Sequence, residues 1–229
     1  MQRLACVFAG LLMGVVRLSA TPCVSGNSLA SYETLGVTGC TLGPQTLENF
    51  SYSFSQTGGA TQLSDSDIFV TLDTGASSYG VSLSFSGYNV ASGQTATYTI
   101  GYTWDSRPID GMGDVLDPPT GVNVLTDGCI GAGFVGTSCS GTELSISVNP
   151  GSPNASITFA PTATLGILDT ITYTGPASFD SLEGDASVIP EPSNLLLAVM
   201  GVIILLFRKT IDFGFQGRPE YRLRTRREQ

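Results

Sequence analysis

The sequence predicts an all-β fold, an antiparallel β-sandwich of roughly 8–10 strands, flanked by a signal-peptide helix and a C-terminal transmembrane helix. Three observations carry the β expectation. Short runs alternate apolar with hydroxyl residues, turn-forming residues separate those runs at near-regular spacing, and no helical period longer than two turns occurs away from the chain ends. The runs are Phe50-Ser51-Tyr52-Ser53-Phe54, Val81-Ser82-Leu83-Ser84-Phe85, the series Tyr98, Ile100, Tyr102 and Trp104, then Leu144-Ser145-Ile146-Ser147-Val148, Ile157-Thr158-Phe159 and Ile171-Thr172-Tyr173. A period of two sends the apolar side chains to one face and the hydroxyls to the other.

Ile68-Phe69-Val70 is apolar without interruption and reads as a more fully buried strand. Turns are expected at Gly58-Gly59, Asp73-Thr74-Gly75, Ser92-Gly93, Asp127-Gly128, Asn149-Pro150-Gly151 and Gly175-Pro176. Ala177 to Ser187 is polar and rich in small residues, and reads as a last strand or as a linker. No repeat of fixed length appears, which argues against a solenoid.

Composition narrows the class. Hydrophobic residues make up 41% of the 229, enough for a packed core. Charged residues are 13%, against about 25% in an ordinary soluble domain. Charge is also segregated. Between Thr21 and Ile189 fifteen Asp and Glu stand against one cation, Arg107, which leaves −14; from Arg208 onward seven Lys and Arg stand against three acids, which leaves +4. A strongly acidic domain is repelled by phosphate backbones, which excludes nucleic acid as a partner. A basic tail suits the inner face of an anionic membrane.

The ends read as targeting segments. Arg3 precedes an uncharged, mostly apolar run from Leu4 to Val16, and Leu18-Ser19-Ala20 supplies a cleavage site, so 1–20 is expected to be a secretory signal peptide. At the other end Val188-Ile189-Pro190-Glu191-Pro192-Ser193 leads into the apolar run Leu195 to Phe207, which Arg208 and Lys209 stop. As a helix the thirteen residues of that run rise about 20 Å, and counting from Pro192 with the two cations snorkelling brings it near the roughly 30 Å of a bilayer core. The expected organisation is therefore a signal peptide at 1–20, an extracytoplasmic β domain at 21–187, a membrane-held sorting segment at 188–209 and a basic cytoplasmic tail at 210–229.

Pro190, Glu191 and Pro192, an apolar helix and the basic pair Arg208-Lys209, in that order, resemble the PEP-CTERM sorting signal of bacterial exported proteins. The resemblance is confined to this module. It implies recognition by a membrane-embedded exosortase, cleavage near the motif, and delivery to the outer surface or to an extracellular polysaccharide. The same module also ends some ice-binding proteins, and it carries no ice-binding chemistry itself. The family's module closes within a few residues of its basic cluster, whereas here Thr210 to Gln229 follow, with Arg218, Arg222, Arg224, Arg226 and Arg227. The prolines impose an extended neck that a protease at the bilayer can read.

Cysteine usage agrees with export. Apart from Cys6 in the signal region, Cys23, Cys40, Cys129 and Cys139 form an even set. Three connectivities are open; the short glycine-rich intervals favour Cys23–Cys40 and Cys129–Cys139. Histidine is absent, which removes the usual general base and the commonest zinc ligand.

The densest polar cluster runs from Trp104 to Pro119, after a well-marked strand, and reads as a turn-rich loop. It is a solvated connection, or a calcium site built from Asp105, Asp110, Asp114 and Asp117, or a sugar platform with Trp104 or Tyr102 stacking on the ring. No other cofactor is expected. The function expected from sequence is non-catalytic: a structural or adhesive surface domain delivered by its sorting tail. Alternatives are a calcium- or carbohydrate-binding module, a hydrolase using two carboxylates across one cleft, and a threonine-rich ice-binding face.

Overall fold

Alternation of Ala96, Tyr98, Ile100, Tyr102 and Trp104 with threonine and glycine does not end in a loop; it opens the longest but one of the strands. The structure, a computed structural model, describes residues 20–189 except 76–77, 86–87, 118–119 and 179, and the side chains of 106 and 107 lie outside the description. Fourteen strands occur among the described residues: β1 (Thr21–Pro22), β2 (Asn27–Ser28), β3 (Cys40–Leu42), β4 (Gln45–Thr57), β5 (Phe69–Thr74), β6 (Ser78–Ser84), β7 (Asn89–Val90), β8 (Thr95–Asp117), β9 (Thr120–Ile130), β10 (Phe134–Val135), β11 (Ser138–Cys139), β12 (Thr142–Val148), β13 (Asn154–Ser178) and β14 (Ser181–Val188). One short helix, α1 (Leu29–Glu33), buries Leu29 and Tyr32.

Twelve strands form a single hydrogen-bonded sheet, and β10 and β11 form a separate hairpin. The all-β class is as expected. In place of a wholly antiparallel sandwich of 8–10 strands there is one sheet that curls, and β1 pairs with β3 in parallel. The reason lies in β8 and β13, of 23 and 25 residues, which pair with each other in both halves of the sheet. Their near-chain-start and near-chain-end portions, Thr95–Asp105 and Thr164–Thr174, pair together and take β4 and β9 as outer neighbours. Beyond register shifts between Thr158 and Thr164, the segment Asn154–Thr158 pairs, among the described residues, with β8 alone, and β8 takes β14 on its other side. Such irregularities bend a strand and let it pass from one layer to the next.

The two halves face each other across the core. Phe85, just after β6, packs edge-on against Tyr173 of β13 and tilted against Tyr98 of β8, with ring centroids 6.2 and 5.7 Å apart. Tyr88 meets both tyrosines at 5.1–5.6 Å. The phenol of Tyr88 donates to the Thr61 carbonyl at 2.6 Å, and Tyr98 accepts from the Leu63 amide at 3.1 Å, so the loop after β4 closes this end of the core. At Gly128 a Cβ would sit 2.5 Å from Met112 Sδ of the opposite half, so glycine there leaves room for the Met112 side chain as it stands.

Several expectations are corrected. Ile68-Phe69-Val70 is not buried throughout: Phe69 is 44% exposed while its neighbours are fully buried, so the alternation continues through it. The segment after Trp104 is strand, not loop, because Met112, Asp114 and Leu116 keep turning inward. Asp127-Gly128 lies inside β9, opposite β12 and β13, and Gly175-Pro176 lies inside β13. The small-residue stretch 177–187 is no linker. Its second part is β14, set between β8 and β6, with Leu182, Ala186 and Val188 facing in. The compact unit closes at Ile189. The expected signal peptide, Pro190, Glu191, Pro192, the apolar run, Arg208, Lys209 and the basic tail lie outside the described residues. Among the described residues no helix is long and apolar enough to cross a membrane.

Both favoured disulfides form, Cys23–Cys40 and Cys129–Cys139, with sequence separations of 17 and 10. The first ties the opening segment to β3, and the second holds the β10–β11 hairpin to the end of β9. Loops of this size restrict the unfolded chain, so each bridge contributes about 2–4 kcal/mol. Reduction is expected to lower the denaturant midpoint markedly, and replacing Cys129 and Cys139 together by Ala about half as much. An unchanged midpoint on reduction would contradict this.

Candidate functional site

Glycine at alternate positions of a strand leaves a furrow where side chains would otherwise stand. On β8 these positions are Gly111 and Gly113, on the outer face of the half formed by β13, β8, β14, β6 and β5. The pairing registers place three polar rows across this face. Ser156, Gly113, Asp185, Gly80 and Asp73 form the middle row. Thr158, Gly111, Ser187 and Ser78 lie to one side of it, and Asn154, Val115, Glu183 and Ser82 to the other. The furrow is an open cavity of about 530 Å³, bounded by Asn154, Ser156 and Thr158 on one wall and by Asp185, Ser187 and Ser78 on the other.

The glycines also let the wall residues lean in. A Cβ on Gly80 would lie 2.7 Å from Asp185 Oδ1, and one on Gly111 would lie 2.5 Å from Ser187 Oγ. Ser187 Oγ donates to Asp110 Oδ1 at 3.0 Å. Burial, then the charges of Glu183 and Asp73, push the Asp185 carboxyl above the usual carboxylate range. By sequence the domain has one basic residue between Thr21 and Ile189, Arg107, against fifteen acids.

Beneath the furrow floor the inner face of β8 carries Asp114, which is 3% exposed. Its carboxyl is turned away from solvent to Thr126 Oγ1 of β9, on the opposite half of the sheet. Thr126 Oγ1 also lies 2.7 Å from Asp169 Oδ1 of β13, its cross-strand neighbour. A hydroxyl carries one hydrogen, so both short contacts hold together only when one of the carboxyls is protonated and donates back. Burial, with the Asp114 charge second, raises Asp169 well above the ordinary value. Burial also pushes Asp114 up to about 6, against which the Thr126 hydrogen bond acts and to which the Asp185 charge adds. Tyr102, fully enclosed beside these acids, is raised by burial and then by Asp169 and Asp114.

The sequence-predicted residues are dispersed by this geometry. Asp105 accepts from Thr164 Oγ1 at 2.9 Å, Asp110 accepts from Ser187, Asp114 is buried and Asp117 is exposed at the strand end. Spaced along one strand at about 3.3 Å per residue, successive members stand about 10–17 Å apart and cannot converge on one ion. Among the described residues no group of three or more His, Cys, Asp or Glu could hold a metal. The stacking platform is likewise corrected: Trp104 and Tyr102 are 1% and 3% exposed, because the even positions of β8 from Ala96 to Trp104 face the core. A two-carboxylate hydrolase arrangement is not formed in the furrow either. Of its two acidic lining residues, Asp114 is committed to Thr126, which leaves Asp185.

Sequence reasoning passed over Asp185 and Gly80. A signal was present in Gly111-Met112-Gly113, since glycine alternating within a strand marks close approach or a missing wall.

No protein-family model matches the chain, and no curated protein matches it. Among solved structures it is similar to TmCBM61 in complex with beta-1,4-galactotriose, at 12% identity over 60% of this chain and 84% of that chain, with a TM-score of 0.29. It is also similar to the family 11 carbohydrate-binding module of cellulosomal cellulase Lic26A-Cel5E of Clostridium thermocellum, at 10% identity over 62% of this chain and 90% of that chain, with a TM-score of 0.29. Likeness of that degree leaves the ligand to be argued from this chain's own residues.

The shared proton gives a test of the buried pair. Both carboxyls are raised, so the native state binds more protons than the unfolded chain, and stability falls as pH rises from about 4 through 6 and beyond. One extra bound proton corresponds to a slope of about 1.4 kcal/mol per pH unit. Asp169→Asn, neutral at every pH, is expected to flatten that slope in denaturant melts taken across the window. A variant with the wild-type slope would show that the pair does not share a proton.

Proposed function

We propose that this is an exported, non-catalytic surface protein whose β domain binds an extracellular polysaccharide along the glycine-floored furrow. The observation that carries the reading is the furrow itself, an open cleft in the sheet whose largely apolar lining is edged by polar side chains. Its rows place hydroxyl, amide and carboxylate groups on two opposed walls. Those are the groups that pair with vicinal sugar hydroxyls, a carboxylate accepting from two and an amide both accepting and donating. From Asn154 to Thr158 the wall runs about 13 Å, which suits a short stretch of polymer rather than a single sugar. Affinity comes from hydrogen bonds more than from stacking, since the lining contains no aromatic side chain among the described residues.

Export and surface delivery are part of the same proposal. Two disulfides fit folding in an oxidising compartment. The Pro190-Glu191-Pro192 neck, the apolar run and Arg208-Lys209 would hold the chain at the membrane for an exosortase-type protease, after which the β domain is displayed at the surface or in the matrix.

Two experiments test the two parts. In affinity electrophoresis against extracellular polysaccharide, Asp185→Ala and Gly113→Leu are expected to weaken binding about tenfold or more, since each removes a hydrogen-bonding group or fills the furrow. Wild-type retardation in both folded variants would place the binding elsewhere. For delivery, fractionation and terminal sequencing would be compared between the native chain and one with Pro190, Glu191 and Pro192 replaced by Ala. The native protein should appear processed at the surface and the variant should remain in the membrane; identical size and location would refute sorting through this motif.

A further inference from the structure

On the reading that the furrow takes a polysaccharide, we infer that its preferred ligand is a polymer of amino sugars bearing free, protonated amines. Neutral glycans and uronic-acid polymers are disfavoured. The argument starts from what the walls lack. A neutral-sugar site sets a carboxylate among donors so that its charge is balanced. Here Asp185 sits between Gly113 and Gly80 with its carboxylate laid across the bare backbone of β6, and the acids Glu183 and Asp73 are its neighbours along the strand and along the row. Burial first, and then these two charges, raise the energy of its ionised form.

The domain has a single basic residue to set against fifteen acids, so the repulsion in this row is relieved mainly from outside. A metal ion does not fit, because among the described residues no three acidic groups converge. An ammonium on a sugar ring does fit. It needs one or two carboxylate acceptors rather than six to eight oxygens. The remaining ring hydroxyls find Ser78, Ser156, Thr158 and Asn154 on the walls. Uronic acids would add like charge to the same row and be repelled.

The test is calorimetric titration of the full chain with three oligosaccharides of equal length: fully deacetylated glucosamine, its N-acetylated counterpart and a neutral β-glucan. The free-amine oligomer is expected to bind at least about tenfold tighter than the others, a preference that weakens with salt. Asp185→Asn should abolish the preference and Glu183→Gln should reduce it. Glu143→Gln, which removes the same charge from an exposed position on β12, should leave it intact. Equal affinity for the three oligomers, still lost in Gly113→Leu, would overturn the amine preference while leaving the polysaccharide reading standing. Equal losses in Asp185→Asn and Glu143→Gln would reduce the effect to bulk charge and overturn it. So would polylysine binding as tightly with the same dependence on Asp185. No binding of any oligomer or of extracellular polysaccharide would overturn both readings.

Discussion

The curled sheet depends on one constraint, that β8 and β13 stay paired with each other in both halves while their path bends between them. Breaks in register between Thr158 and Thr164 absorb the bend. Once these two strands are fixed, the other elements have defined places: β4 and β9 flank the pair in one half, β14 and then β6 extend it in the other. Because the halves are continuous, the buried faces must be complementary at close range, and glycine supplies the clearance where Met112 meets Gly128. The polar triad of Asp114, Thr126 and Asp169 sits in this same interface. It joins the halves with hydrogen bonds that fail unless all three groups are aligned, so it specifies their register more than it adds net stability.

The fold class was legible because a period of two is robust. Tyr98, Ile100, Tyr102 and Trp104 are buried as their spacing requires, and the two disulfides follow from short intervals in a domain with an even cysteine set. What was not legible has a common physical cause. Charge and glycine in 105–117 suggest a loop, yet both are compatible with a central strand when the acids alternate outward or find a hydroxyl partner. Asp114 is the sharpest case: a lone acid in a sequence looks solvated, and only the opposite half, bringing Thr126, reveals that it is enclosed. β14 was obscured for a related reason. Ser181 to Val188 carries few large apolar residues, since its inner positions at Gly184 and Ala186 face a crowded part of the core.

The candidate site was less visible than the fold. Its walls come from β13, β14 and β6, separated by many residues in the chain, and no single motif gathers them. The aspartates that drew attention in sequence turned out to be spread along one strand. The one that matters most, Asp185, gains its character from Gly80 and Gly113, which are its neighbours only through pairing. Composition did foreshadow the electrostatics, because a domain with Arg107 as its only cation has little means of neutralising a carboxylate locally.

The stretch of β13 that forms one wall of the furrow has a further property. Among the described residues Asn154–Thr158 pairs with β8 alone, so its other side forms a rim of the sheet. A rim of that kind invites a second chain to zip onto it. Pro161, exposed a few residues along, cannot offer an amide to such an intruder, and the break in register around it turns the rim aside. A protein crowded on a surface or in a matrix at high local concentration would thereby keep its copies separate, each with its wall unobstructed.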